Sequence, residues 1–463
     1  MTFREYLDVL RGKRVAVLGA GVSNTPPIEA LLEAGVDTAV CDMGSREKIG
    51  DAAGRYEALG AKLRLGESYL DDLDADVIFR TPGIMPSNPA IMDAVGRGAQ
   101  LTSEMEVFFE VCPCRIIAVT GSDGKTTTTS IIADMLKNDG YTVHVGGNIG
   151  APLLCKADDM RPDDIAVVEL SSFQLMTMQN SPDIAVITNV APNHLDVHKD
   201  MDEYIGAKRN IYMHQSSGGK AVFNYDNDLT RAYADTARGE AVFFSSRSAV
   251  GNGCYLSGGT IYEAADGASE PLIRADEIFL PGAHNAENFM AAFAALRGLA
   301  GRDAMLKTAR TFKGVAHRIE FVRELRGVRY YNDSIASSPS RTIAGLRSFD
   351  RKVILIAGGK DKGVAFDTLG VEITSRVKKL ILTGLTAEKI RDAVSSAAAC
   401  TQDRTELPEI KMIENFEDAV LAASNAAGEG DIVMLSPACT SFDRFKNFEE
   451  RGNLFKKIVE EME

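Results

Sequence analysis

Thr120-Gly121-Ser122-Asp123-Gly124-Lys125-Thr126-Thr127 follows the apolar run Ile116-Ile117-Ala118-Val119. It opens a stretch with apolar residues at Ile131, Ile132, Met135 and Leu136, the spacing of a helix face. Strand, glycine turn and helix are the setting of a phosphate-binding loop. Gly121 and Gly124 let the backbone curl so that its N–H groups converge on phosphate oxygens, and the helix N-terminus adds its positive dipole end. Lys125 is placed to reach β- and γ-phosphates, and the Thr126 hydroxyl to hold Mg²⁺. Val119 stands where the longer G-x-x-x-x-G-K-[ST] loop has its first glycine, which leaves a short G-x-x-G-K-T form. An ordinary turn with a solvated lysine is the alternative, and both flanks argue against it. ATP or a close relative is the expected ligand.

Other polar groups stand where apolar runs end. Glu169 closes Ile165-Ala166-Val167-Val168, and His194 follows the run from Ile184 to Asn189. Beside a phosphate loop they suggest ligands for a nucleotide-bound cation, while a capping carboxylate and a packed histidine remain open readings. Mg²⁺ prefers oxygen, so a histidine ligand would also admit Mn²⁺. Near the N-terminus, Gly19-Ala20-Gly21-Val22-Ser23 ends the run Arg14 to Leu18, and Asp42 ends Thr38 to Cys41. This is half of a dinucleotide-binding pattern without its third glycine, so a plain turn stays open. Thr81-Pro82-Gly83-Ile84 ends the run Asp76 to Arg80. Asn285 and Asn288, near the start of an alanine-rich helix, could cap it or meet a base edge.

These turns need parallel sheets to carry them. At 463 residues the chain is too long for one core, and about three domains are expected. The pattern sets three α/β units in the ranges 1–103, 104–314 and 315–463. A turn-rich stretch lies between about Gly218 and Ala275, where Gly251-Asn252-Gly253 and Ser257-Gly258-Gly259 read as hairpin loops. In the third unit four strands are expected, ending at Asn332, Ala357, Leu382 and Leu435, each followed by a polar or glycine-bearing turn. The net charge of −14 argues against a nucleic-acid binder. Seven scattered cysteines, with Cys112-Pro113-Cys114 as the only close pair, read as free thiols in a reducing compartment. No signal-peptide pattern and no span-length apolar run is found, so a cytoplasmic protein without membrane contact is expected.

The C-terminal stretch Leu435-Ser436-Pro437-Ala438-Cys439-Thr440-Ser441-Phe442-Asp443-Arg444-Phe445-Lys446-Asn447-Phe448-Glu449-Glu450-Arg451-Gly452 is long and specific. Together with the short loop Gly121 to Thr126, it resembles the muramyl ligase superfamily, and within it the D-glutamate-adding branch. The resemblance runs essentially end to end. It implies Rossmann-like N-terminal and C-terminal domains flanking a central P-loop ATPase domain. It also implies ATP-dependent addition of D-glutamate to UDP-N-acetylmuramoyl-L-alanine through an acyl phosphate, in peptidoglycan synthesis, by a monomer.

The same resemblance assigns residues. ATP is implied to lie between the second and third domains, on Gly121, Ser122, Asp123, Gly124, Lys125, Thr126, Thr127, Asn285, Asn288, Arg318 and Asp333. Thr126, Glu169 and His194 match magnesium positions, and Lys208 matches a lysine carried as a carbamate. From sequence alone Lys208 reads as a lysine on a helix surface. The nucleotide sugar is implied at Gly21, Val22, Ser23, Asp42, Thr81, Pro82, Gly83 and Asn148, and D-glutamate at Ser337, Lys362, Ser441 and Phe448. Lys125, Lys208, His194 and Glu169 are the implied catalytic set. Two positions depart from the pattern: Ile335 replaces a lysine, and Asp123 replaces an asparagine. A sister ligase, a nucleotide-driven switch protein and a dehydrogenase are the competing readings. The C-terminal signature argues against the first, Lys208 and that signature against the second, and the missing third glycine against the last.

Overall fold

The computed structural model describes residues 1–21, 23–193, 197–361, 363–399 and 407–463. Three sheets are built, with strands at each of the expected apolar runs and further strands beside them. The first contains β1 (Arg14–Leu18), β2 (Asp37–Asp42), β3 (Lys62–Leu65), β4 (Val77–Arg80) and β5 (Gln100–Thr102), in the order β3-β2-β1-β4-β5. All four of its ladders are parallel. Its inner strands are nearly continuous apolar runs because helices cover both faces of such a sheet.

The second sheet contains β6 (Arg115–Thr120), β7 (Val143–Gly147), β8 (Ile165–Glu169), β9 (Ile184–Ile187), β10 (Lys220–Asn224), β11 (Glu240–Ser245), β12 (Gly253–Ser257), β13 (Thr260–Ala265) and β14 (Ala268–Arg274). Their order is β14-β13-β12-β11-β10-β9-β6-β8-β7, parallel from β7 to β12 and antiparallel over the last two pairs. Ser257-Gly258-Gly259 does close a hairpin. Gly251-Asn252-Gly253 does not: β11 and β12 run parallel. A link this short suffices because only three rungs join the strands, from Phe243↔Gly253 to Ser245↔Tyr255. Gly253 permits the return, since its φ is 133° and a Cβ there would lie 1.8 Å from the Phe243 carbonyl oxygen.

The third sheet contains β15 (Glu320–Leu325), β16 (Val328–Asn332), β17 (Val353–Ala357), β18 (Val377–Leu382), β19 (Glu409–Met412) and β20 (Ile432–Leu435), in the order β15-β16-β20-β17-β18-β19. It has six strands, not four, because charged edge strands flank the apolar ones.

The chain packs as two compact units, Met1–Ile278 with His284–Arg310, and Phe279–Ala283 with Thr311–Glu463. The first two sheets share the first unit. One apolar core there runs from Phe3, Tyr6 and Phe79 to Phe108, Ile116 and Leu175. Among the described residues no helix is long and apolar enough to cross a membrane.

Candidate active site

In the second sheet β6 lies between β9 and β8, so the chain order reverses on either side of it. Open α/β sheets bind ligands at the carboxyl ends of strands around such a reversal. Three strand ends meet there. The ladders pair Val119 with Glu169 on one side and Thr120 with Ile187 on the other.

The glycine loop is pinned from its neighbours. The Ser122 amide donates to Asn189 O at 2.9 Å, and the Asp123 amide to Asn189 Oδ1 at 2.9 Å. The Ser122 hydroxyl turns inward onto Ala191 O and Tyr204 Oη, both at 2.9 Å. The helix Lys125–Asn138 has no side-chain cap at its start, and the N-terminal end of its dipole favours an anion there. Gly121 has φ 152° and a Cβ there would lie 1.9 Å from Thr188 Oγ1; Gly124 has φ 78° and a Cβ would lie 2.5 Å from Asn288 Oδ1. Neither position accepts a side chain. Gly121→Ala is therefore expected to lower stability by about 1–3 kcal/mol and to abolish the upward shift of the thermal midpoint by ATP. An ATP-induced shift equal to that of the parent would contradict this account of the loop.

Lys125 lies half-buried, donating to Gly121 O at 3.0 Å and Ser122 O at 3.1 Å. Lys208 is not the surface lysine that the sequence suggests: it is 1% exposed. Its helix, Met201–Met213, turns Tyr204, Lys208 and Ile211 inward together. The Lys208 amine donates to Gly121 O at 2.7 Å and lies 4.8 Å from the centre of the Tyr204 ring. Burial, with Lys125 nearby, pushes its pKa down to about 7, against the opposing pull of Asp123 and Glu169. An amine in that state is a nucleophile near neutral pH.

Glu169 is 1% exposed. Its Oε1 accepts from Asn148 Nδ2 at 2.7 Å, which brings a residue expected to meet the sugar onto the end of β8. Its Oε2 is buried with no hydrogen-bond partner among the described residues. A buried, unsatisfied carboxylate oxygen beside a phosphate loop fits a hard cation, as does the nearby Thr126 hydroxyl. Asn285 and Asn288 are both buried within the helix Ala283–Leu296. Asn288 Oδ1 accepts from Thr128 Oγ1 at 3.2 Å, tying this helix to the loop's helix. Three sequence candidates, Val22, His194 and Lys362, lie outside the described residues.

The first sheet gathers its own turns. Asp42 accepts from the Ala20 amide at 2.8 Å and the Gly44 amide at 2.6 Å, which holds the Gly19 to Gly21 turn in place. A Cβ on Gly19 would lie 2.9 Å from Thr81 Cγ2, so this turn abuts Thr81-Pro82-Gly83. Gly83 itself faces open space.

The third sheet gathers a separate group. Asp333 is 4% exposed, and its oxygens accept from Ser436 Oγ at 2.7 Å and the Ile319 amide at 3.3 Å. Burial raises its pKa to about 7, with the Ser436 bond opposing. His317, at φ 62°, shares a hydrogen bond with Asn332 at 2.9 Å and meets the Phe448 ring edge-on at 5.8 Å. Ser441 is buried, and its carbonyl accepts from the Arg444 and Phe445 amides. At Ile335, the departure from the family pattern, Arg341 Nη1 donates to the backbone carbonyl at 3.3 Å, so a guanidinium stands near the missing lysine.

Sequence reasoning missed the groups that hold these turns. Arg451 donates to Ser334 Oγ at 3.0 Å, Ser334 O at 2.8 Å and Cys439 O at 3.2 Å. His198 shares hydrogen bonds with Ser172 Oγ at 2.9 Å and Glu203 Oε2 at 3.1 Å, and stacks on Phe173. The signal for Arg451 was its place in the C-terminal signature; His198 carried none.

Residues 119–296 match the Mur ligase middle domain, and residues 317–439 match the Mur ligase glutamate ligase domain. A UDP-N-acetylmuramoylalanine–D-glutamate ligase of Acetivibrio thermocellus is 50% identical over 461 residues, covering 99% of this chain and 98% of the relative. The protein of the same name from Ruminiclostridium cellulolyticum is 49% identical, covering 97% of each chain. Among solved structures, the UDP-N-acetylmuramate-alanine ligase of Thermotoga maritima superposes with a TM-score of 0.57 at 17% identity, covering 97% of this chain and 99% of that one. A UDP-N-acetylmuramoylalanyl-D-glutamyl-2,6-diaminopimelate–D-alanyl-D-alanyl ligase of Acinetobacter baumannii gives 0.55 at 15% identity, covering 83% and 90%. At such identities the solved structures speak for the fold.

Proposed function

The chain belongs to the Mur ligase family, and from that membership we propose an ATP-dependent ligase that joins D-glutamate to UDP-N-acetylmuramoyl-L-alanine in peptidoglycan synthesis. The observation that carries this reading is 50% identity along 99% of the chain to a D-glutamate ligase. Three domains divide the work: 1–103 for the nucleotide sugar, 104–314 for ATP, and 315–463 for the amino acid and part of ATP. The enzyme acts as a monomer in the cytoplasm, where ATP is made.

The alanyl carboxylate of the sugar substrate attacks the γ-phosphorus of ATP, forming an acyl phosphate and releasing ADP. The amine of D-glutamate then attacks the acyl carbon, and the tetrahedral adduct expels phosphate. Catalysis of the first step is positioning and charge stabilisation. Gly124 to Thr127, at the start of the helix, present backbone N–H groups to the phosphates, and Lys125 leaves its carbonyl acceptors to follow the charge on the transferred group. The neutral Lys208 amine captures CO₂, releases a proton and becomes a carbamate, so a buried amine becomes an anionic oxygen donor. Thr126, Glu169, His194 and the carbamate of Lys208 would hold Mg²⁺, or Mn²⁺ in its place, which neutralises phosphate charge when bound.

Gly21, Val22, Ser23, Asp42, Thr81, Pro82, Gly83 and Asn148 receive the nucleotide sugar. Asn285, Asn288 and Asp333 meet the nucleoside side of ATP, and Arg318 a phosphate. Ser337, Lys362, Ser441 and Phe448 receive D-glutamate, where a lysine with hydroxyls suits two carboxylates.

Phosphate release from ATP and Mg²⁺ with UDP-N-acetylmuramoyl-L-alanine, run across a panel of amino acids, tests the reading. Release is expected with D-glutamate alone. Release with a different amino acid would move the specificity question to Lys362, Ser441 and Phe448. Release independent of any amino acid would favour a nucleotide-driven switch.

A further inference from the structure

Arg80 ends β4, and at 1% exposed it is the bulkiest fully buried side chain among the described residues. Its guanidinium faces two segments at once. Nη1 donates to Ile84 O at 2.9 Å and Thr81 O at 3.4 Å, within the turn that follows β4. Nη2 donates to Phe173 O at 2.8 Å and Thr177 Oγ1 at 3.4 Å, in the segment that leaves β8 just after Glu169. Its acceptors are three carbonyl oxygens and a hydroxyl. The nearby acid, Glu106, is reached through Thr177, whose hydroxyl donates to it at 3.3 Å. The Nε–H is buried and makes no hydrogen bond among the described residues.

A buried guanidinium is costly to desolvate, and removing it would leave its acceptors without a donor. What methionine or leucine cannot do is hold four oxygens from two loops in one plane. The geometry points to Arg80 as a positioning residue for the nucleotide sugar: it locks the Thr81–Ile84 turn to the Phe173–Thr177 segment. The first-domain turn then stands at a fixed distance from Glu169 and the phosphate loop. This rests on the reading of Thr81 to Gly83 as contacts of the UDP-sugar.

Full-length Arg80→Met, Arg80→Lys and Gly83→Leu test it, with KM for UDP-N-acetylmuramoyl-L-alanine, KM for ATP and the thermal midpoint as readouts. Gly83 faces open space, so leucine there obstructs a ligand at the turn without crowding the fold. Arg80→Met is expected to lower the midpoint while KM for the sugar rises tenfold or more and KM for ATP stays within twofold. Arg80→Lys, which reaches one segment but not both, is expected to fall between. If Arg80→Met does not fold, Arg80→Lys decides: a raised sugar KM with an unchanged KM for ATP supports the inference. An unchanged sugar KM in the Arg80 variants, with a raised one in Gly83→Leu, overturns the inference alone. Unchanged sugar KM in all three variants overturns the reading of the turn and the inference with it. A joint rise of both KM values marks general loosening and also overturns it.

Discussion

Lys208→Ala is expected to lower turnover by about 10²–10³-fold, the loss typical of removing one preorganised charge-stabilising group. Excess bicarbonate leaves that loss in place, because no amine remains to be carbamylated, whereas a small carboxylate such as acetate restores part of the rate. Steady-state assays with both additives check this, and full activity in the variant removes Lys208 from the mechanism. The same side chain governs a pH dependence of stability. Its folded pKa of about 7 lies below the ordinary lysine value of 10.5. Between those values the unfolded chain binds a proton that the folded chain does not, so unfolding free energy rises with pH across that window. Below it the buried cation carries its full desolvation cost, on the order of a few kcal/mol. In bicarbonate-free buffer, Lys208→Ala is expected to remove this slope from denaturant titrations, and a slope that persists would assign it to another group.

Lys125→Met is expected to cost a further large factor, again about 10²–10³ in kcat, by removing the cation that follows phosphoryl charge. Binding of the nucleotide sugar is expected to stay within twofold of the parent, because most of its proposed contacts lie on first-sheet turns. Calorimetric titration with each substrate separates the two effects. A large loss of sugar affinity would mean that the loop shapes the whole unit rather than the phosphate site. Lys125→Arg is not expected to restore activity, since a planar fork does not substitute for a compact ammonium in a loop closed by Gly121 and Gly124.

The strands that carry chemistry were legible because burial on both faces writes them as apolar runs, and glycine or polar turns mark their ends. The strands that were missed are edges. β3 (Lys-Leu-Arg-Leu) and β19 (Glu-Ile-Lys-Met) alternate with charge, β5 is three residues long, and β15 is partly exposed along most of its length. The phosphate loop was legible down to its two glycines. The burial of Lys208 was readable in principle: Tyr204, Lys208 and Ile211 share one helix face, but a lysine there reads as solvated until something is known to lie opposite. Arg80 and Arg451 were hidden for a different reason. Most of their acceptors are backbone carbonyls, which leave no trace in residue type, so the contacts of Arg451 could not be read even where its signature could.

Arg451 ties the turn after β16, through Ser334, to the loop after β20, through Cys439. A Cβ on Gly359, in the turn after β17, would lie 3.2 Å from its Nη1. Loops sharing one tether open as one cooperative segment or stay closed together. Sequence drift in any of the three must therefore be tolerated by the other two. On the proposed D-glutamate site, specificity for a new amino acid is then more accessible through side chains such as Ser337 and Phe448 than through insertions or deletions in the turns themselves.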